Sequence, residues 1–329
     1  MTDALTQAGR ALLGARLADR LPSRWTTRFA PAPTGLLHLG HVVNAVFVWS
    51  IARAFGGEIL LRIEDHDRQR SRDAFDTAIR ADLEWLGLEA DNARLGWPST
   101  LRQQPDALPY EDALATLEAQ GNAYPCRCSR REIASVTPSG QDEEVRYPGT
   151  CRRSEVPPSE TPARRVQLDD VSVEFDDLRH GAQRQTPSAQ CGDVLVRDRR
   201  GHWTYPFAVT VDDLRQGVGV IIRGDDLLAS TGRQLLIAAM LGRPAPPLIL
   251  HHPLVTHADG SKLSKSLGDS GIAELRAAGW TAPRLLGHAA WLAGLQPEPV
   301  ALTVVELPSF WPESRQAPVP RGEGSTFPV

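Results

Sequence analysis

Lysine is nearly absent from this chain of 329 residues, in which Lys and Arg together number 36. The two lysines, Lys262 and Lys265, both lie within residues 261–266. A chain that uses Arg for almost every positive charge retains Lys where Arg cannot serve, because an ammonium is a compact point charge and a guanidinium is a wide planar fork. Two ammonium groups with hydroxyls between them suit a polyphosphate. The pattern predicts a phosphate-binding loop, with a solvated basic loop as the alternative.

Long apolar runs are also missing, since no stretch approaches the length that spans a membrane. The first 21 residues carry several charged side chains, so they contain no signal-peptide core. Their spacing predicts instead a short amphipathic helix with apolar residues near one side: Leu5, Ala8, Leu12, Ala15 and Leu17. We therefore expect a cytoplasmic protein with no membrane partner. A net charge of −4 leaves any contact with nucleic acid to local Arg patches.

Apolar segments predict an α/β fold with a parallel sheet. A strand is expected at residues 28–31, a helix at 41–54 and a continuous apolar strand at 58–63, which together form a βαβ unit. Two more apolar strands are expected at 219–223 and 248–251, and the second leads into the lysine loop.

The middle of the chain predicts other elements. Helices are expected at residues 110–121 and 233–241. Residues 193–198 and 203–211 predict a hairpin that turns at 199–201, where two arginines precede a glycine.

Residues 31–41 combine a Pro- and Gly-rich turn with two histidines at the start of the first predicted helix. Gly35 and Gly40 let the backbone approach a ligand closely. His38 and His41 lie at a helix N-terminus, which favours phosphate. Imidazoles that donate hydrogen bonds there stabilise the extra charge of an α-phosphate under attack. The alternative is a pair of surface histidines beside a glycine turn.

These segments carry a family resemblance. Residues 38–41 (HLGH) resemble the HIGH motif of class I aminoacyl-tRNA synthetases, and residues 262–266 (KLSKS) resemble the KMSKS motif. The motifs occur in the family's order, with about 220 residues between them. The flanking segments look like those of glutamyl-tRNA synthetases, and the resemblance covers about residues 25–270. The most similar segments are residues 28–35, 61–67, 203–209, 211–213 and 223–227.

The resemblance implies activation of L-glutamate by ATP with Mg²⁺ on a Rossmann-like sheet. It assigns catalysis to His38, His41, Lys262 and Lys265, and ATP binding to His38, Gly40, His41 and Lys265. The residues that it assigns to glutamate are Arg28, Phe29, Ala30, Pro31, Ala32, Glu64, Tyr205 and Arg223. Two guanidiniums suit two carboxylates, and a carboxylate suits an α-ammonium. Without the resemblance, each of these would be an ordinary surface or salt-bridge residue.

Three of the four cysteines lie close together in the sequence. In a reducing cytosol, Cys126, Cys128 and Cys151 suggest thiolate coordination of zinc, which needs a fourth ligand. The candidates for that ligand are Tyr147, Asp142, Glu143 and Glu144, and three unmetallated thiols are the alternative. The pattern resembles glutamyl-queuosine tRNA(Asp) synthetases, short paralogues of glutamyl-tRNA synthetases, and so implies Tyr147 and one structural Zn²⁺ per chain. Cys191 stands apart, and we expect it to be a buried small hydrophobe.

We expect six segments along the chain. They are an N-terminal helical extension (1–24), the first half of a nucleotide-binding domain (25–108), an inserted zinc-bearing acceptor-type subdomain (109–192), the second half of the nucleotide-binding domain with the lysine loop (193–270), a short helical stub (271–311) and a disordered tail (312–329).

The RNA acceptor follows from the resemblance to the short paralogues. After Ser266 only 63 residues remain, too few for the large helical anticodon-binding region of a glutamyl-tRNA synthetase. The resemblance therefore implies a monomer that transfers glutamate to the queuosine base of the tRNA(Asp) anticodon. One alternative is a truncated glutamyl-tRNA synthetase that charges tRNA(Glu), and another is a tRNA-independent amino-acid:amine ligase. A non-enzymatic RNA-binding paralogue is a third, and the intact histidines and lysines weigh against it.

Overall fold

The structure is a computed structural model that describes residues 5–104, 106–137, 144–154, 162–255 and 271–311. Within these ranges, none of the helices combines the length and the apolar character needed to cross a membrane. The predicted tail at 312–329 lies outside the described residues.

Helices and strands alternate along most of the described chain. The α-helices are α1 (Gln7–Arg20), α2 (Leu39–Phe55), α3 (Asp73–Leu86), α4 (Leu108–Ala119), α5 (Arg130–Val136), α6 (Pro187–Gln190), α7 (Tyr205–Arg215), α8 (Thr231–Met240), α9 (Ile272–Ala277) and α10 (Ala282–Leu292). Two 3₁₀ helices span Asp225–Ser230 and Val304–Phe310. The strands are β1 (Trp25–Phe29), β2 (Gly57–Ile63), β3 (Leu101–Arg102), β4 (Ala123–Cys126), β5 (Ala163–Val166), β6 (Val173–Asp177), β7 (Gly181–Gln185), β8 (Val194–Arg197), β9 (Val220–Gly224) and β10 (Leu248–His252).

Two largely parallel sheets form the centre of the molecule. One has the order β1-β2-β3, and the other has the order β7-β6-β10-β9, in which only β7 runs antiparallel to its neighbour. The sheets meet at β1 and β9, where the N–H of Gly219 donates to the carbonyl of Thr26 at 3.0 Å. These ladders confirm the prediction of an α/β fold with a parallel sheet. They also confirm the predicted strands that became β2, β9 and β10, whereas the strand expected at residues 28–31 lies earlier, at β1.

Helix α2 is apolar on most sides, because other helices and strands cover it on most sides. It packs on β1 and β2, on α10 and on the 3₁₀ helix Val304–Phe310. Val46, Phe47 and Ile51 are fully buried as a result. The helix ends at Gly56, which adopts a φ of 72° that a residue with a side chain would adopt only with strain.

The predicted hairpin of residues 193–198 and 203–211 is wrong in its second half. Arg197 and Trp203 do pair as antiparallel neighbours, but the chain then enters α7. Pro206 occupies the first turn of this helix, where its missing N–H forfeits no helical hydrogen bond. The apolar residues that resembled a strand pack together in a second core: Phe207, Ala208 and Val211.

The N-terminal helix predicted from the sequence is present as α1, but its buried face differs from the prediction. Leu13 and Leu17 are buried, whereas Leu12 is 64% exposed. Residues four apart share a helix face, while adjacent residues diverge by about 100°. Arg16 donates to the carboxylate of Asp176 at 3.1 Å, which ties α1 to β6.

A smaller antiparallel sheet, with the order β4-β5-β8, stands beside the parallel strands. It packs against α4 and α7 around a separate core that contains Tyr110, Val166 and Phe207. The helices expected at residues 110–121 and 233–241 correspond to α4 and α8. The segment boundaries drawn from the sequence, including the zinc-bearing subdomain, stay a prediction.

Candidate active site

A cavity of about 480 Å³ lies at the carboxyl ends of β1, β2, β9 and β10, beside the first turn of α2. Ligands of open parallel sheets bind at this edge. The lining includes eleven residues to which the sequence assigns glutamate or ATP: Arg28, Phe29, Ala30, Pro31, Ala32, His38, Gly40, His41, Glu64, Tyr205 and Arg223.

The two histidines of the HLGH segment cap α2 through their ring nitrogens. The N–H of Gly40 donates to Nδ1 of His38, and the N–H of His38 donates to Nδ1 of His41, each at 3.1 Å. A ring nitrogen that accepts a hydrogen bond carries no proton, so each neutral ring has its proton on Nε2. A Cβ at Gly40 would lie 3.0 Å from Cε1 of His38, so a side chain there would displace the ring. Both rings therefore line the cavity with their proton on Nε2.

Buried charges of alternating sign run behind the cavity. Nε of Arg28 donates to both carboxylate oxygens of Asp213, at 3.1 and 3.2 Å. Arg62 donates to Asp213 at 2.8 Å and to Oε1 of Glu64 at 2.9 Å. Burial raises the pKa of Asp213, but the two guanidiniums outweigh it and hold the pKa below its usual value. Arg28 in β1 and Glu64 directly after β2 are thus held by one ion-pair network.

Tyr205, the loop after β1 and Arg223 form further parts of the cavity wall. Tyr205 begins α7, and burial together with the nearby Glu64 carboxylate raises the pKa of its phenol, so the hydroxyl stays protonated. The N–H of Glu64 donates to the carbonyl of Pro31 at 3.0 Å, which fixes the loop after β1 against the end of β2. Arg223 is the second-last residue of β9 and is 3% exposed.

The predicted catalytic lysines, Lys262 and Lys265, lie outside the described residues, in the gap from 256 to 270. Both ends of that gap are at the cavity. Val255, before the gap, lines the cavity, and Gly271, after the gap, forms an antiparallel bridge with His38. The chain therefore leaves and re-enters the described part of the structure beside the capping histidines.

The three clustered cysteines come together in space. The Sγ atoms of Cys126, Cys128 and Cys151 all lie within 4.8 Å of one another, and those of Cys128 and Cys151 are 3.5 Å apart. A tetrahedral zinc with Zn–S bonds of about 2.3 Å holds its sulfurs roughly 3.8 Å apart, so the spacing fits zinc. The hydroxyl of Tyr147 lies 3.3 Å from Sγ of Cys126 and 3.7 Å from Sγ of Cys128. Arg165 stacks over the Tyr147 ring and can offset thiolate charge.

The other candidates for the fourth ligand do not lie in the cysteine cluster or lie outside the described residues. Glu144 binds Arg233 through both carboxylate oxygens, at 2.7 and 2.6 Å, and is not part of the cysteine cluster. Asp142 and Glu143 lie outside the described residues. Cys191 is buried in a different core, as expected from the sequence.

Comparison with known proteins places the chain in a family. Residues 24–298 match the family model described as tRNA synthetases class I (E and Q), catalytic domain. A glutamyl-Q tRNA(Asp) synthetase from Symbiobacterium thermophilum is 44% identical over 290 residues, which cover 83% of this chain and 88% of that protein. The chain belongs to the glutamyl-Q tRNA(Asp) synthetase family of class I tRNA synthetases. A relative of the same name from Ralstonia nicotianae is 43% identical over 253 residues, 74% of this chain and 78% of its own.

A solved structure supports the fold. The crystal structure of a glutamate tRNA ligase from Elizabethkingia meningosepticum in complex with its amino acid matches with a TM-score of 0.72 at 23% identity. The match covers 89% of this chain and 66% of that ligase. It confirms the class I synthetase fold, with its α/β architecture and parallel sheet.

Sequence reasoning found the family's cavity-lining residues and missed the groups behind them. Arg62 and Asp213 both lie in segments that resemble glutamyl-tRNA synthetases, yet the resemblance gave them no role. The available signal was an acidic pair, Asp212 and Asp213, inside an apolar segment. Carboxylates that a helix carries into a core require cationic or hydrogen-bonding partners.

Proposed function

We propose that this chain activates L-glutamate with ATP in the absence of tRNA, and then transfers the glutamate to the queuosine base of the tRNA(Asp) anticodon. The observation that carries the proposal is one cavity that brings the Arg28 and Arg223 guanidiniums and the Glu64 carboxylate beside His38 and His41. Two cationic groups and one anionic group suit an amino acid with two carboxylates and one ammonium. The names of the family members support the choice of RNA.

In the first step, an oxygen of the glutamate α-carboxylate attacks the α-phosphorus of ATP in line. The bond from that phosphorus to the bridging oxygen breaks, which gives glutamyl-adenylate and pyrophosphate. The carboxylate is already ionised at neutral pH, so the step needs no protein base. Catalysis comes from position and charge: His38 and His41 donate Nε2–H to the α-phosphate, and the Gly40 backbone allows the phosphate to approach.

Charge that moves onto the departing pyrophosphate needs cations. Lys265 supplies an ammonium to the β- and γ-phosphates, and Lys262 supports it. Mg²⁺ would neutralise part of the same phosphate charge. The lysines come from the gap between Val255, which lines the cavity, and Gly271, which pairs with His38, and this supports their role at the cavity.

In the second step, a hydroxyl oxygen of queuosine attacks the carbonyl carbon of glutamyl-adenylate. The carbon–oxygen bond to the phosphate breaks, AMP leaves with the bonding electrons, and the hydroxyl proton passes to solvent. Cys126, Cys128, Cys151 and Tyr147 would hold one Zn²⁺, which would supply rigidity to the loop around them.

Charging assays with labelled glutamate test the proposal. Total tRNA that contains queuosine should accept glutamate, and tRNA from a queuosine-deficient source should accept none. Removal of the 3′-terminal adenosine by an exonuclease should leave charging intact, because the ester forms at the anticodon. Glutamate-dependent ATP–pyrophosphate exchange should proceed without RNA.

Other outcomes would support the other functions. Efficient charging of unmodified tRNA(Glu), lost on removal of the 3′-terminal adenosine, would identify a truncated glutamyl-tRNA synthetase. Glutamate transfer to a small amine without RNA would identify an amino-acid:amine ligase. A complete lack of exchange and transfer would support a non-enzymatic RNA-binding protein.

A further inference from the structure

Arg223 is held in the structure by neutral acceptors. Its Nε donates to Nε2 of His251 at 3.0 Å, its Nη1 to Oε1 of Gln234 at 2.6 Å and its Nη2 to Oγ1 of Thr231 at 2.9 Å. Within the described ranges, no carboxylate forms an ion pair with this guanidinium, whereas the other two guanidiniums that line the cavity, those of Arg28 and Arg70, are each paired with a carboxylate. A guanidinium has five N–H donors; these acceptors take three of them, and the Tyr205 hydroxyl of the cavity wall lies within hydrogen-bonding reach of the rest.

The acceptor role of His251 requires one particular tautomer. Nδ1 of His251 lies 2.8 Å from Oδ2 of Asp177, and the backbone N–H of His251 donates to the same oxygen at 3.0 Å. The other oxygen, Oδ1, accepts the backbone N–H groups of Arg179 and His180, each at 2.9 Å. Three backbone N–H groups donate to this carboxylate, and an ionised carboxylate can only accept. The proton between Oδ2 and Nδ1 therefore belongs to the imidazole. Nε2 then has a lone pair for Arg223.

Burial acts in the same direction. His251 and Asp177 are both fully buried. Burial lowers the pKa of His251, although its hydrogen bond to Asp177 partly opposes that change, so the ring stays neutral. A second ring proton would place an N–H against the Nε–H of Arg223, which the geometry cannot accommodate.

We propose that Asp177 and His251 are positioning residues that fix the Arg223 guanidinium for a substrate carboxylate. Asp177 holds the imidazole in its Nδ1–H form, and the imidazole orients Arg223 without neutralising it. The charge of the guanidinium is then available to the ligand, because the groups that hold it directly are neutral. This inference rests on the proposed function for the identity of that ligand as glutamate.

The fold explains why two distant residues are needed. Asp177 is the last residue of β6, and His251 lies in the neighbouring strand β10, which ends at the cavity. The β6-β7 hairpin at the sheet edge thus places the carboxylate beside that strand. Thr231 and Gln234, which hold the other side of the guanidinium, belong to α8. Two elements, β10 and α8, thus hold the guanidinium directly, and β6 acts through His251.

Two substitutions at His251 distinguish a positioning role of this residue from a packing role. His251→Gln retains an oxygen that can accept from Nε of Arg223, whereas His251→Leu retains volume and loses the acceptor. In ATP–pyrophosphate exchange, His251→Leu should raise the KM for glutamate about tenfold or more, with the KM for ATP within about twofold of wild type. His251→Gln should recover most of that loss. The matched control is His202→Leu, which disrupts another Asp–His pair, with Asp198, and should change neither KM.

The tautomer gives a readout that needs no substrate. Nitrogen NMR of ring-labelled protein should show His251 protonated at Nδ1. In Asp177→Asn the amide can donate to Nδ1, so the proton should move to Nε2 and the KM for glutamate should rise as in His251→Leu. Urea unfolding of each variant would show that it is folded.

Several outcomes would overturn the inference. They are an Nε2–H tautomer in the wild type, equal KM changes for glutamate and ATP, or equal loss in His251→Gln and His251→Leu. Wild-type protein without glutamate-dependent exchange would instead refute the proposed function, and the tautomer would still decide how Arg223 is held.

Discussion

At the residue scale, the two lysines carry the most specific expectation. Lys265→Arg keeps the charge but replaces a compact ammonium with a planar fork, so it should reduce ATP–pyrophosphate exchange about tenfold or more. Lys262→Arg should be milder, because that residue supports the same phosphates. Exchange within about twofold of wild type in Lys265→Arg would refute the phosphate role.

A second residue-scale prediction concerns acid stability. Nε2 of His252 accepts from Nδ2 of Asn44 at 3.0 Å, its Nδ1–H donates to the carbonyl of Pro253 at 2.9 Å, and its ring stacks on Phe47. Burial lowers the pKa of His252 from 6.5 to about 4. The unfolded chain therefore binds this proton more readily than the folded chain, and the stabilisation present above pH 6.5 is lost as the pH falls toward 4.

The loss can be measured as a difference between two proteins. From pH 7 to pH 5, His252 should account for about 2 kcal/mol of the fall in the free energy of unfolding in urea. His252→Gln should remove that share of the pH dependence, whereas His202→Gln at the surface turn should retain it. Parallel pH profiles for wild type and His252→Gln would contradict the assignment.

At the element scale, α1 offers a matched pair of leucines. Leu17 is fully buried against the main core, and Leu12 is 64% exposed on the same helix. Leu17→Ala should lower the free energy of unfolding by about 2–5 kcal/mol. Leu12→Ala should change it by less than about 0.5 kcal/mol. Equal effects would mean that α1 is not anchored through the face described above.

The cysteine loop is the second element with a direct test. Protein purified without an affinity tag should contain about one zinc per chain by elemental analysis. Cys126→Ser and Cys151→Ser should lose the metal, and Tyr147→Phe should weaken its binding, because three thiolates remain. Cys191→Ala is the control and should keep the full zinc content. A stable wild-type protein without metal would refute the zinc site.

At the scale of the whole molecule, the Arg62 network joins strands from the first half of the chain to a helix from the second. Arg62→Met would leave the carboxylates of Glu64 and Asp213 buried without this guanidinium. The free energy of unfolding should fall by about 3–5 kcal/mol. Arg94→Met is the control: Arg94 pairs with Glu58 at 3.2 Å on the surface, and its loss should cost no more than about 1 kcal/mol.

The same scale separates what the sequence could predict from what it could not. Apolar periodicity is local, so it predicted α2, β2, β9 and β10 correctly. It failed at residues 203–211, because a short apolar run suits a buried strand and a buried helix equally. The HLGH motif and the segments that resemble glutamyl-tRNA synthetases led to residues that line the cavity. The Arg62–Asp213 pair spans 151 residues, and no local pattern reports such a contact.

The capping of α2 by its histidines changes what an intact motif means in evolution. His38 and His41 tie down the first turn of the helix through Nδ1, independently of any nucleotide. A descendant that had lost the chemistry would still need capping groups there, so selection for folding alone can preserve both imidazoles. The role proposed above for the two lysines, by contrast, is confined to the phosphates. In a census of relatives, their loss would be the earlier sign of a synthetase that no longer makes an adenylate.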